Sequence, residues 1–153
     1  LYTVRIYAGS LATSIPVSSW LLGLSLFLFL SIAYAKRYIE LCQPSDAKEK
    51  KTNGRGYITD DAEQIARFGT TSGYASVVIL LLYINSEKAS TLYTNNGLLW
   101  ALFPLMLFWL TRFWLHVSRG SVHEDPVVYV LRDWVTYAIG VGILGILLLA
   151  SIL

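Results

Sequence analysis

The chain has 153 residues, 55% of them hydrophobic and only 14% charged, with a formal net charge of +2. Soluble domains carry roughly 25% charged residues, so this composition, with a mean hydropathy of +0.54, excludes an ordinary water-soluble domain and requires lipid as solvent for part of the surface. The small net charge argues for no nucleic-acid partner, and the single cysteine, Cys42, excludes an internal disulfide and a cysteine-based zinc site.

Leu1 to Ile15 has no basic n-region followed by an apolar core and a cleavage site, so it is neither a signal nor a transit peptide. It reads as the second half of a helix, and the chain as a fragment of a longer protein. Arg5 lies here in apolar surroundings. An arginine within a spanning segment is costly and by default a functional candidate; the alternative is that it snorkels to the interface.

The first full span runs from about Ser18 to Ala35, opened by Pro16, Ser18 and Ser19, with Trp20 suited to an interface belt. It runs without a loop into Lys36-Arg37-Tyr38-Ile39-Glu40. On a helix, Lys36 and Glu40 are i,i+4 and Arg37 and Glu40 are i,i+3, so the three converge on one face. Two cations suit a phosphate or diphosphate, and a carboxylate suits a ribose hydroxyl, a cation or Mg²⁺. The structural alternative is a basic anchor with a helix ion pair.

A polar stretch covers 43–70. It holds Lys48-Glu49-Lys50-Lys51, a turn at Asn53-Gly54, and Asp60 to Phe68, which reads as a short amphipathic helix at the membrane surface. A second span, about 71–84, is short for a bilayer, so it either recruits part of the preceding segment or sits in a thin region. A third, about 98–115, contains Pro104, which predicts a kink that neighbouring helices satisfy. The fourth, about 127–153, starts with Asp125 as N-cap and Pro126 at N1. Gly140, Gly142 and Gly145 in it allow close helix contact.

Arg132 and Asp133 lie two turns into that last helix. Being adjacent, they point in different directions, so each needs a partner on another helix or in a polar cavity. An interhelix ion pair and a cavity-rim role both fit them. His116 and His123 have no third ligand at a metal spacing, and capping accounts for Asp125 without a metal. Basic residues collect in 36–70 and 112–125, whereas the 85–97 loop has only Lys88. The positive-inside rule therefore places the first two regions in the cytoplasm and Lys88 outside. These elements predict an all-α, polytopic transmembrane helix bundle forming a single membrane domain.

Several segments, in order, resemble the UbiA superfamily of membrane prenyltransferases, nearest to the branch of decaprenyl-phosphate phosphoribosyltransferase. They are Leu1 to Gly9, Trp20 to Leu22 with Leu26 to Ser31, Lys36 to Leu41, Gly54 to Tyr57, Ser72 to Tyr74, Leu82 to Ser86, and His123 to Val128 with Leu131 to Asp133. The resemblance implies the second half of a nine-helix bundle: the end of one helix, then four spans, around a cavity open to the cytoplasm of a bacterial inner membrane. Lys36, Arg37 and Glu40 stand where the family carries its second acidic motif, D-x-x-x-D, so direct cation–phosphate contact replaces a metal–carboxylate pair. The family's first motif, N-D-x-x-D-x-x-x-D, is absent, and Mg²⁺ is implied mainly through it.

The same resemblance implies a transferase joining a phosphorylated donor, such as phosphoribosyl diphosphate or a prenyl diphosphate, and a polyprenyl-type lipid. Lys36, Arg37 and Arg5 would bind phosphate and Glu40 would be catalytic. Asp125, Arg132 and Asp133 would line the cavity or brace the bundle. The alternative is a catalytically incomplete membrane scaffold, or a half-protein that needs a separate N-terminal half or assembles as a homo-oligomer.

Overall fold

The computed structural model describes residues 4–5, 7–9, 18–42, 61–122 and 125–152. The Asn53-Gly54 turn, Lys48 to Lys51, Gly54 to Tyr57, His123 and Glu124 lie outside them, as does most of 1–15. Every described element is a helix: α1 (Ser19–Cys42), α2 (Ala62–Ile84), α3 (Glu87–Leu92), a 3-10 segment (Asn96–Ala101), α4 (Leu102–Ser118), α5 (Pro126–Arg132) and α6 (Trp134–Ile152). Four stretches, Ser19–Cys42, Ala62–Ile84, Asn96–Ser118 and Trp134–Ile152, are long and apolar enough to cross a membrane. Only 11–28% of the residues in the most apolar window of each are buried inside the bundle, so most of their residues keep some surface facing outward, which lipid tolerates and water does not. The chain is an integral membrane protein with an all-α bundle.

Two boundaries differ from the sequence reading. The segment before residue 71 does not lie on the membrane surface as a separate helix; from Ala62 it is the first two turns of α2. At about 1.5 Å per residue, the 23 residues of α2 span about 35 Å, enough for a hydrocarbon core of about 30 Å. The last span is not continuous either. Asp133 adopts an extended backbone, with ψ 114°, and separates α5 from α6. Pro104 falls in the first turn of α4, where its missing N–H removes no helical bond. The winding changes from 3-10 to α just before it.

Helix α1 packs along α2, α2 along α4, and α4 along α6, while α5 returns to α1. The α1–α2–α4 junction is built on small residues. A Cβ on Gly69 would overlap the Trp114 ring and lie 2.9 Å from Tyr34, and one on Gly73 would lie 2.7 Å from Leu110. Ser31 Oγ donates to the Gly69 carbonyl at 2.7 Å and accepts from Trp114 Nε1 at 3.0 Å. Ala35, Ile39, Val77, Leu110, Phe113 and Val117 close around this point as one core. The close approach therefore sits at Gly69 and Gly73. Among the described residues, an added Cβ on Gly140 or Gly145 meets nothing within 4 Å, and one on Gly142 meets Leu105 at 3.8 Å.

A second core, of Ile84, Ala89, Leu99, Leu102 and Ala150, lies at the opposite end. There the connector after α2 satisfies exposed helix ends. Asn96 Nδ2 donates to the Ile84 carbonyl at 2.8 Å, and the Asn95 amide donates to the Ala150 carbonyl at 3.1 Å.

Gly69→Ala should loosen the bundle by about 1–3 kcal/mol, the usual cost of overpacking. Gly145→Ala should change stability by less than about 0.5 kcal/mol. Unfolding of the two variants in mixed detergent, followed by circular dichroism, measures the difference; equal stabilities would contradict this packing.

Candidate functional site

Three ion pairs lie at the end of α1, at the start of α5, and between α4 and the α5–α6 junction. Helix α1 continues through Cys42, so Lys36, Arg37 and Glu40 occupy its last two turns. Arg37 and Glu40 pair directly along the helix, as their i,i+3 spacing predicts. Lys36 does not join them. Its Nζ reaches across 89 residues of sequence to Asp125 Oδ2 at 2.5 Å. Asp125 is also the N-cap of α5, its Oδ1 accepting from the Val127 amide at 3.0 Å, with Pro126 in the first turn. One carboxylate thus starts α5 and fastens it to α1.

The third pair involves Arg112, a residue that sequence alone places only among the loop charges. It donates bidentately to Asp133, Nη1 to Oδ2 at 2.5 Å and Nη2 to Oδ1 at 2.9 Å. Asp133 Oδ2 also accepts from the Thr136 amide at 3.0 Å and its hydroxyl at 2.8 Å, which makes Asp133 the cap of α6. Trp109 Nε1 donates to the same Thr136 hydroxyl at 3.1 Å. Asp133 therefore finds its partner on another helix, as its position requires. The signal for Arg112 is present in the sequence: an arginine inside an apolar span needs a buried partner.

His116 and Tyr129 complete this end. His116 Nδ1 lies 2.9 Å from the Arg112 carbonyl, and its ring stands 5.8 Å from that of Tyr129. Burial pushes the Tyr129 phenol up. The Lys36 ammonium holds the Asp125 carboxyl below the usual carboxylate range, helped by the Val127 amide. The Arg112 guanidinium does the same for Asp133, helped by Thr136. Arg5 is helical and exposed, and Arg132 is exposed on α5. Cys42 is an exposed free thiol.

Among the described residues no group of three or more His, Cys, Asp and Glu side chains could hold a metal ion. Glu40, Asp125 and Asp133 each already face a cation. These residues do not fit a Mg²⁺ site. The cluster offers instead three cations, each held by one carboxylate, at one end of an apolar bundle.

Removing Asp133 leaves Arg112 without its fork, and loss of one partner from a buried pair costs about 3–5 kcal/mol. The pair keeps 22% and 11% of its side-chain surface exposed, so Asp133→Ala should cost about 2–3 kcal/mol by the same reasoning. Detergent unfolding measures it. The pH dependence has a definite sign. Both folded carboxyls are depressed, so their stabilisation is fully present above the ordinary carboxylate value of about 3.9. It is lost only as pH falls through the lower folded values. Tryptophan fluorescence in nanodiscs should stay constant from neutrality to about pH 4 and change below it, and Asp133→Asn should diminish that change.

No family model matches the chain, and no solved structure matches it. It is 35% identical over 141 residues, 92% of its length, to an uncharacterized protein of Sinorhizobium fredii, y4nM. It is 31% identical over 137 residues, 87% of its length, to nodulation protein NoeC of Azorhizobium caulinodans. The chain spans 27% of the first relative and 43% of the second.

Proposed function

We propose that this chain forms the second half of a UbiA-type membrane transferase that moves a phosphoribosyl or prenyl group between a phosphorylated donor and a polyprenyl-type lipid. The observation that carries this reading is the Lys36–Asp125 contact. It joins the Lys-Arg-x-x-Glu end of α1 to the Asp125-to-Asp133 segment, two of the stretches on which the resemblance rests. In the phosphoribosyl version, an oxygen of the lipid phosphate attacks the anomeric carbon of phosphoribosyl diphosphate. The bond from that carbon to the diphosphate oxygen breaks, and diphosphate leaves. Charge grows on the leaving group, where Lys36 and Arg37 would stabilise it. A diphosphate carries more charge than one carboxylate, so it would draw Lys36 from Asp125 and Arg37 from Glu40. Glu40, once released, would accept from a ribose hydroxyl. The site would face the cytoplasm of a bacterial inner membrane by the positive-inside rule.

A second reading is favoured by a specific observation. Lys36, Arg37 and Arg112 all have carboxylate partners already, as the cations of a membrane scaffold laced by ion pairs would. A charge exchange separates the two. Lys36→Asp alone should lower stability, and combining it with Asp125→Lys should restore it under either reading. Transfer should fall at least about tenfold and stay low in the double variant only if Lys36 contacts the donor; a lost charge-assisted contact is worth about that much. The assay follows labelled phosphoribosyl diphosphate and, in parallel, a labelled prenyl diphosphate in membranes containing the protein. Turnover of both donors unaffected by Lys36→Ala and Arg37→Ala would overturn the assignment.

A further inference from the structure

A groove of about 270 Å³ lies at the end of the bundle opposite the ion pairs, between the start of α1, the end of α2, and α3. Its walls are aliphatic, with Leu21, Leu24, Ile79 and Leu80 prominent. Its polar lining includes Lys88 on α3 together with Tyr83 and Tyr93, whose side chains lie beside each other. Glu87, the neighbour of Lys88, does not line it. Lys88 is exposed and has no carboxylate partner among the described residues.

We propose that this groove holds one anionic phospholipid, with a hydrocarbon chain against the aliphatic wall and the headgroup phosphate at Lys88. The lining decides the class of occupant: an aliphatic wall beside a cation suits an amphiphile with a hydrocarbon tail and an anionic head. Chemistry decides against water, because an apolar cavity offers too few hydrogen-bond partners to keep it ordered. A stretch of one hydrocarbon chain matches the aliphatic wall. Charge then selects the headgroup: a cation at the mouth of an apolar slot favours a phosphate without a compensating ammonium, worth about 1 kcal/mol per lysine near a membrane surface. Tyrosines beside it have the amphipathic character of side chains at the headgroup level. The site is remote from the Lys36–Asp125 cluster, so it stands or falls independently of the transferase reading.

The test is native mass spectrometry of the whole chain released from nanodiscs containing equal phosphatidylglycerol and phosphatidylcholine of matched chain length. The wild-type chain should retain one phosphatidylglycerol, about fivefold in preference to phosphatidylcholine. Lys88→Glu should abolish the preference. Because it changes an exposed side chain, its fold is not at stake. Leu21→Trp, which fills the groove from an exposed position, should remove bound lipid of both kinds while circular dichroism remains that of the parent. Equal retention of the two lipids by the wild type, or unchanged retention in Leu21→Trp, would overturn the proposal. A dimer mass that Leu21→Trp abolishes would assign the groove to a second copy instead.

Discussion

The fold turns on one hydroxyl. Ser31 Oγ donates to the carbonyl of Gly69 and accepts from the indole of Trp114, so three helices meet at a single atom with both capacities used. Lipid chains are as apolar as the helices they surround, so there is no hydrophobic force to press one helix on another. Association must come from close van der Waals contact and from polar groups that have no alternative partner. Gly69 and Gly73 provide the first by letting Trp114 and Leu110 approach the α2 backbone. Ser31 provides the second. Ala35 and Ile39, one and two turns further along α1, continue the same face. That face determines where Lys36 emerges.

From that seam the polar end is set. Lys36 leaves α1 directly after the buried Ala35 and finds Asp125, which fixes the start of α5. At the far end of α5 the backbone turns out of helical geometry at Asp133, and Arg112 on α4 holds the break in place. The two carboxylates act alike: each caps a helix with one set of contacts and ties it to another helix through a cation. A cap uses hydrogen bonds that the helix start needs in any case. The same carboxylates therefore serve secondary and tertiary structure together.

Much of this is legible in the sequence. Four apolar stretches, the Arg37–Glu40 spacing and the Asp125-Pro126 start each announce themselves by length, period or residue type, which are local properties. The demand that Asp133 have a partner elsewhere is legible too, but not the partner. Choosing Arg112 requires knowing that α4 and α6 lie side by side. The α5–α6 break is hidden because Leu131 to Trp134 contains neither Gly nor Pro; the break comes from Asp133 preferring Thr136 and Arg112 to helical continuity. The glycines mislead for a related reason. Gly140, Gly142 and Gly145 look like a contact stripe, yet small residues matter only where a partner approaches, and among the described residues the close approach is at Gly69 and Gly73.

The connector between α2 and α4 gives the bundle a mechanical asymmetry. At that end Asn95 and Asn96 bond backbone carbonyls of α6 and α2, and Ile84, Leu99 and Ala150 pack without access to solvent. Neutral hydrogen bonds and apolar contacts are nearly indifferent to ionic strength. The other end carries, beside its own apolar core, ion pairs that are partly exposed, and ions screen these. Salt therefore weakens the ion pairs at this end and leaves the packing of the other intact. One tip of the bundle is held by contacts indifferent to salt, and the other by an apolar core together with ion pairs that salt weakens.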